Sequence, residues 1–180
     1  MRMGVLLFAA IAVVVVVPVG AVVFTPLGYP ILRNIFPPGD IAPVDWAEIR
    51  LNNEPARWLV CPGYDLCTEL NDRTAIFDAS VDRLMQEWQR VMKEEEEVME
   101  VVLSDDGTRQ YTYLIRSSFL QLPDLVTVEF VEFNEDEDRP RSSVAIYSRR
   151  VYVSGDFGAN SGRVTRYLDH LETVLGIYRR

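Results

Sequence analysis

Asp105-Asp106-Gly107-Thr108 stands between two segments rich in β-formers, residues 98–103 and 109–116. An Asp-Gly pair in that setting is the strongest short-range hairpin signal, because its residues tolerate the positive φ of a tight turn. In the second segment Tyr111, Tyr113 and Ile115 fall on one face. Pro123-Asp124 interrupts the chain before the alternating residues 125–133. An acidic loop, 134–141, separates those from a fourth segment, 142–150. Strands that succeed one another through short turns pair antiparallel, so the expectation is a four-stranded antiparallel sheet.

A helix is expected on each side of these strands. Asp78 precedes Val81, Leu84, Met85, Trp88 and Val91, which recur at helical spacing, with Asp78 as the expected N-cap. The run of glutamates at 94–97 puts negative charge where a helix C-terminus disfavours it, and reads as a frayed, solvated end. A second helix is expected from about 160 to 175, with Val164, Leu168, Leu171, Val174 and Leu175 inward and Gly176 as its C-cap. The fold class is therefore α+β, helix–four strands–helix, with both helices on one face of the sheet.

Residues 3–24 carry no charge and would span roughly 30 Å as a helix, the thickness of a bilayer core. Val19-Gly20-Ala21 weakly resembles a cleavage site for a secretory signal, but the apolar run continues through Phe24. The expectation is a retained transmembrane anchor over 1–25. Five prolines within 26–45 then predict an extended juxtamembrane spacer, and a domain over 46–180 begins at Trp46. Arg2 before the apolar run and Arg33 after it favour a cytoplasmic N-terminus. The expected location is thus a bacterial inner membrane, single-pass, with the C-terminal domain in the periplasm.

Formal net charge is −9, and every Asp and Glu lies beyond Gly39. Such a domain repels phosphate backbones, which argues against a nucleic-acid partner. Cys61 and Cys67 are the only cysteines, and the Pro-Gly between them can turn the chain back. Two readings stand: a structural disulfide in an oxidising compartment, or two partly buried thiols. Without further Cys or nearby His they make a poor zinc site, and no metal or cofactor is expected. The single histidine, His170, sits mid-helix, and no P-loop or dinucleotide fingerprint occurs, so no residue is assigned a catalytic role.

The stretch 148–164 is unlike ordinary scaffolding. It holds Gly155, Gly158 and Gly162 together with Arg149, Arg150 and Arg163, between a strand and a helix N-terminus. Free N–H groups there attract anions, whereas an arginine in a first helical turn opposes the macrodipole. Something negative is needed beside Arg163. An anionic ligand would serve, and so would Asp156 or Asp124 in an internal pair.

Tyr113-Leu114-Ile115-Arg116-Ser117, Leu122-Pro123-Asp124, Ser148-Arg149 and Gly155-Asp156-Phe157-Gly158-Ala159-Asn160 followed by Arg163-Val164 resemble a signature of a bacterial and plastid family. That family is known only as domain of unknown function fourteen-ninety-nine. The resemblance covers roughly 55–175 and departs from the pattern at Arg150, Val151 and Val153. It implies a site or structural network of Arg116, Asp124, Arg149, Asp156, Asn160 and Arg163, and many members carry an N-terminal membrane segment. It implies no reaction. The leading expectation is a non-enzymatic interaction or accessory subunit beside another membrane protein. The alternatives are a module binding an anionic small molecule or lipid headgroup through the Arg149–Arg163 loop, and a hydrolase using Asp124 or Asp156 as base.

Overall fold

The computed structural model describes residues 25–52, 56–63, 65–95, 99–133, 140–152, 155 and 157–177. In chain order the elements are α1 (Tyr29–Ile35), β1 (Arg57–Cys61), β2 (Asp72–Arg73), α2 (Val81–Glu95), β3 (Met99–Asp105), β4 (Gln110–Arg116), β5 (Pro123–Phe133), β6 (Arg141–Arg150) and α3 (Ala159–Leu175). The hairpin forms where Asp-Gly stands: the Asp105 carboxylate accepts from Gly107 N at 3.0 Å, and the turn's hydrogen bonds hold that carboxyl below the usual range. β3, β4, β5 and β6 then pair antiparallel in sequence order.

The four-stranded, wholly antiparallel expectation is corrected. The sheet has six strands in the order β2-β1-β6-β5-β4-β3, and it is mixed, because β2 runs parallel to β1. β1 joins β6 antiparallel, Arg57 opposite Arg149 and Val60 opposite Ile146. This pairing spans most of the domain's sequence, and no turn signal announces it. β2 is only two residues long and has no pattern to read.

α2 and α3 lie on one face of the sheet, where Leu84, Trp88, Val164, Tyr167 and Leu171 pack on Val126, Val128 and Ile146. The 15 residues of α2 begin after Ser80, not Asp78. Ser80 Oγ accepts from Arg83 N at 3.3 Å, leaving Asp78 two positions too early to cap. Gly176 closes α3 with φ 73, its N–H donating to Glu172 O. Glu94 and Glu95, expected to be merely solvated, face α3: Glu95 pairs with Arg166 at 3.1 Å and Glu94 lies 3.8 Å from His170.

The second face of the sheet is covered as well. Trp46, Ile49, Leu59, Cys67, Ala145 and Tyr147 form a smaller core there. β6 therefore lies between two layers, which is why eight of its ten residues are buried without alternation. The Cys61–Cys67 disulfide fastens the loop after β1 into this layer, at a Cα separation of 6.4 Å.

Residues 26–45 are not a free extended spacer. Pro30 occupies the first turn of α1, where its missing N–H costs nothing, and the helix ends before Pro37. Leu32 is buried, Tyr29 Oη donates to Ser118 O, and Tyr152 Oη donates to Pro37 O. Gly39 has φ 79 and passes so close to β6's end that a Cβ would meet Val151 Cγ1 at 2.8 Å.

The membrane expectation is corrected too. Among the described residues no helix is long and apolar enough to cross a membrane. Residues 1–24, on which that expectation rested, lie outside the described residues. The three described helices are either short (α1) or amphipathic with charged outer faces (α2, α3). The single-pass, inner-membrane, periplasm-facing assignment is accordingly withdrawn.

Candidate functional site

Antiparallel register places Asp124 of β5 directly opposite Arg150 of β6, at the sheet end beneath the start of α3. Asp124 points to the helical face and is buried. Its Oδ1 accepts from Arg150 Nε at 3.1 Å and its Oδ2 from Arg163 Nη2 at 3.0 Å. One carboxylate thus pairs with two guanidinium groups from different elements. Arg163 also donates through Nη1 to Asn160 Oδ1 at 3.0 Å and to Ser148 Oγ at 3.3 Å.

Asn160 is the hub on the helix side. Fully buried, it accepts from Ser148 Oγ at 2.6 Å and donates through Nδ2 to Ala56 O at 2.9 Å, one residue before β1. Arg150 Nη1 reaches Gly155 O, which ties down the loop leading to α3. Gly158 takes φ 81 at the helix start and supplies no side-chain cap. The cluster therefore joins β5, β6, α3 and the lead-in to β1 by charge-assisted bonds, the strong class of polar contact.

Of the six expected site residues, Asp124, Asn160 and Arg163 meet here. Asp124 is the negative partner that Arg163 requires. Asp156 lies outside the described residues. Arg149 projects to the opposite face, where Nη2 donates to Asp40 O at 2.6 Å and the guanidinium stacks 5.5 Å from the Tyr147 ring centroid. Arg116 stands at the same sheet end, opposite Pro123, but does not join the cluster: its Nη1 donates to Phe36 O and to Gln121 O. Sequence reading missed Arg150, treated as a departure from the pattern, and Ser148's role as its neighbour's acceptor. The pairing of Asp124 with Arg150 follows from register, which no single segment reveals.

A second polar group forms around Gln121, also missed. Gln121 is fully buried with φ 54, and its Oε1 accepts from Arg33 Nε at 3.2 Å while Nε2 donates to Ser117 O. Arg33 and Arg116 share a cavity of about 280 Å³ with Glu100. Burial lowers the Arg116 pKa, and the nearby charge of Arg33 lowers it further. Neither arginine has a carboxylate within 4 Å among the described residues. Among those residues, too, no group of three or more His, Cys, Asp and Glu gathers to hold a metal ion.

No protein-family model matches the chain, and no curated protein matches it at a significant level. The likeness to the uncharacterised family rests on the signature residues themselves.

Proposed function

We propose that this protein works by binding another protein, as a non-enzymatic interaction or accessory subunit. It docks through the end built from α1 and the 117–121 turn. The observation that carries this reading is the exposure of Leu27, Ile31 and Ile35, at 82%, 51% and 59%. Single apolar side chains on a surface are ordinary, but these lie together on a short element that the domain holds in place through Leu32, Tyr29 and Arg33. Arg33 and Arg116 adjoin it with Glu100 beside them and, among the described residues, no carboxylate within 4 Å of either, in a chain of net charge −9. The matching partner surface combines apolar side chains with carboxylates.

The alternative uses of the 148–164 loop have lost support. Arg150 and Arg163 already share Asp124, so a free anion would compete with a buried carboxylate. Asp124 as a hydrolase base is equally weakened, since both its oxygens accept from guanidinium groups.

Purification of the full chain from its native cells, under non-denaturing conditions, tests the docking role. One protein should accompany the wild type in near-equal amount and be lost from the Ile31→Asp/Ile35→Asp variant. The variant's melting temperature should be unchanged, because both positions are exposed. A partner retained by the variant would overturn the reading. So would a wild type that elutes alone, or one that binds anionic vesicles instead of a protein.

A further inference from the structure

Six strands about 4.8 Å apart make a sheet some 24 Å wide between its outer strands, whereas two helices cover about 20 Å. α2 and α3 pack over β1, β5 and β6, so the β3–β4 margin of the helical face is left without a helix. A sheet face turned to water would carry polar side chains there. This margin carries Met99, Val101, Tyr111 and Tyr113 instead. With Trp88 and Met92 of α2 as the facing wall, they enclose a groove of about 280 Å³.

Three features of the groove point to what it holds. Trp88 is fully buried, yet its Nε1 has no hydrogen-bond partner. A buried donor left in that state is costly, and an acceptor brought in by a ligand removes the cost. The indole interacts with the Tyr113 hydroxyl but not in full hydrogen-bond geometry, and burial raises that phenol to about 12, so it too remains a proton donor at neutral pH. At the groove's mouth stands Lys93, the only lysine in the chain. Its neighbours Glu94 and Glu95 are directed at His170 and Arg166, and among the described residues no carboxylate lies within 4 Å of it. The volume corresponds to about nine groups of water or methylene size, at ~30 Å³ each.

We propose that this groove is a binding site for a compact apolar carboxylate of about ten non-hydrogen atoms, aliphatic or aromatic. The apolar body rests on the Met and Tyr side chains, and the carboxylate is held by the Lys93 ammonium and the donors of the Trp88–Tyr113 pair. Thioether side chains adapt to different shapes, so Met92 and Met99 accommodate either kind of body. The groove adjoins the docking end, since Met99 also lines the Arg33–Arg116 cavity, but its lining is otherwise distinct.

Calorimetric titration of the full-length protein with decanoate, 3-phenylpropanoate and decanol tests the proposal. Saturable one-to-one binding of at least one carboxylate is expected, at least tenfold tighter than decanol. Whichever of the two acids binds more tightly identifies the body the groove prefers. Lys93→Glu should weaken the carboxylate at least tenfold. Val101→Glu, which places a charge on the groove floor at an exposed position, should abolish it, and both variants should melt like the wild type. In an ¹⁵N spectrum, one of the three indole N–H signals should move downfield as Trp88 gains an acceptor. Absence of saturable binding would overturn the site. Binding that ignores both substitutions would place it elsewhere, and equal affinity for decanol would refute its carboxylate chemistry.

Discussion

Replacing Asp124 separates a structural network from a ligand site most sharply. The side chains of Arg163 and Arg150 are 11% and 19% exposed, so neither guanidinium regains full hydration when the carboxylate is removed. Breaking a buried pair by deleting one partner costs about 3–5 kcal/mol, and here two guanidinium groups lose this carboxylate at once. Partial access of water to Arg150 offsets some of that, which sets Asp124→Ala near ~4 kcal/mol. Asp124→Asn keeps the shape and one acceptor but loses the charge, and should cost about 1.5–3 kcal/mol. Arg163→Ala also removes donors from Asn160 and Ser148. The Asp124→Ala/Arg163→Ala double variant should recover on the order of 1–3 kcal/mol relative to the sum of the singles. Urea unfolding followed by circular dichroism measures the wild type and all four variants. Arg109–Glu132, an exposed cross-strand pair at 3.2 Å, is the internal control, and its disruption should cost under about 1 kcal/mol. The losses at Asp124 should persist in 0.5 M salt at roughly their low-salt size, since buried pairs are little screened. Additive losses of control size, or stabilisation of the wild type by phosphate that vanishes in Arg163→Ala, would refute the network.

Two further predictions follow from the cores. Reducing the Cys61–Cys67 disulfide should cost about 2 kcal/mol by loop entropy, seen as a lower urea midpoint for the Cys61→Ser/Cys67→Ser protein, and unfolded, unreduced wild type should show no reactive thiol. Tyr113 is raised from 10.0 to about 12 by burial, so its contribution is complete below pH 10 and is lost as pH climbs from 10 to 12, where the unfolded chain ionises first. That loss is about 2–3 kcal/mol, and Tyr113→Phe should flatten the stability curve across this window; an unchanged curve would show that the phenol is not insulated from water.

What sequence reading recovered and what it missed divide along physical lines. The β3–β4 hairpin, the order of β3 to β6 and the inward face of α2 rest on turn chemistry and periodicity, which are local, and these appear as expected. β1 was missed because its pairing with β6 is non-local, and β2 because two residues carry no pattern. Arg57-Trp58-Leu59-Val60-Cys61 alternates poorly, since both faces of the central strands are covered. α1 was missed because prolines were counted rather than placed: Pro30 sits in a first turn, where it is harmless. The cluster around Asp124 was half legible. A cation in the first turn of α3 demands a counter-charge, and Asp124 was one of the two named. Arg150 was not, because its partnership depends on the β5–β6 register.

The same register explains why the signature-like residues and the accessible surface part company. Asp124, Ser148, Asn160 and Arg163 converge from three elements onto the one sheet end where α3 begins, and Asn160 extends the cluster to Ala56 beside β1. Those contacts settle how the late helix meets both the central strands and the strand added from early in the chain. Residues that fasten a fold in this way resemble a binding motif in sequence, being polar, clustered and rich in arginine. Their burial and mutual pairing distinguish them. The groove below Trp88 and the apolar end at α1 have the opposite character, with a donor, cations and apolar side chains that the described residues leave exposed or poorly matched.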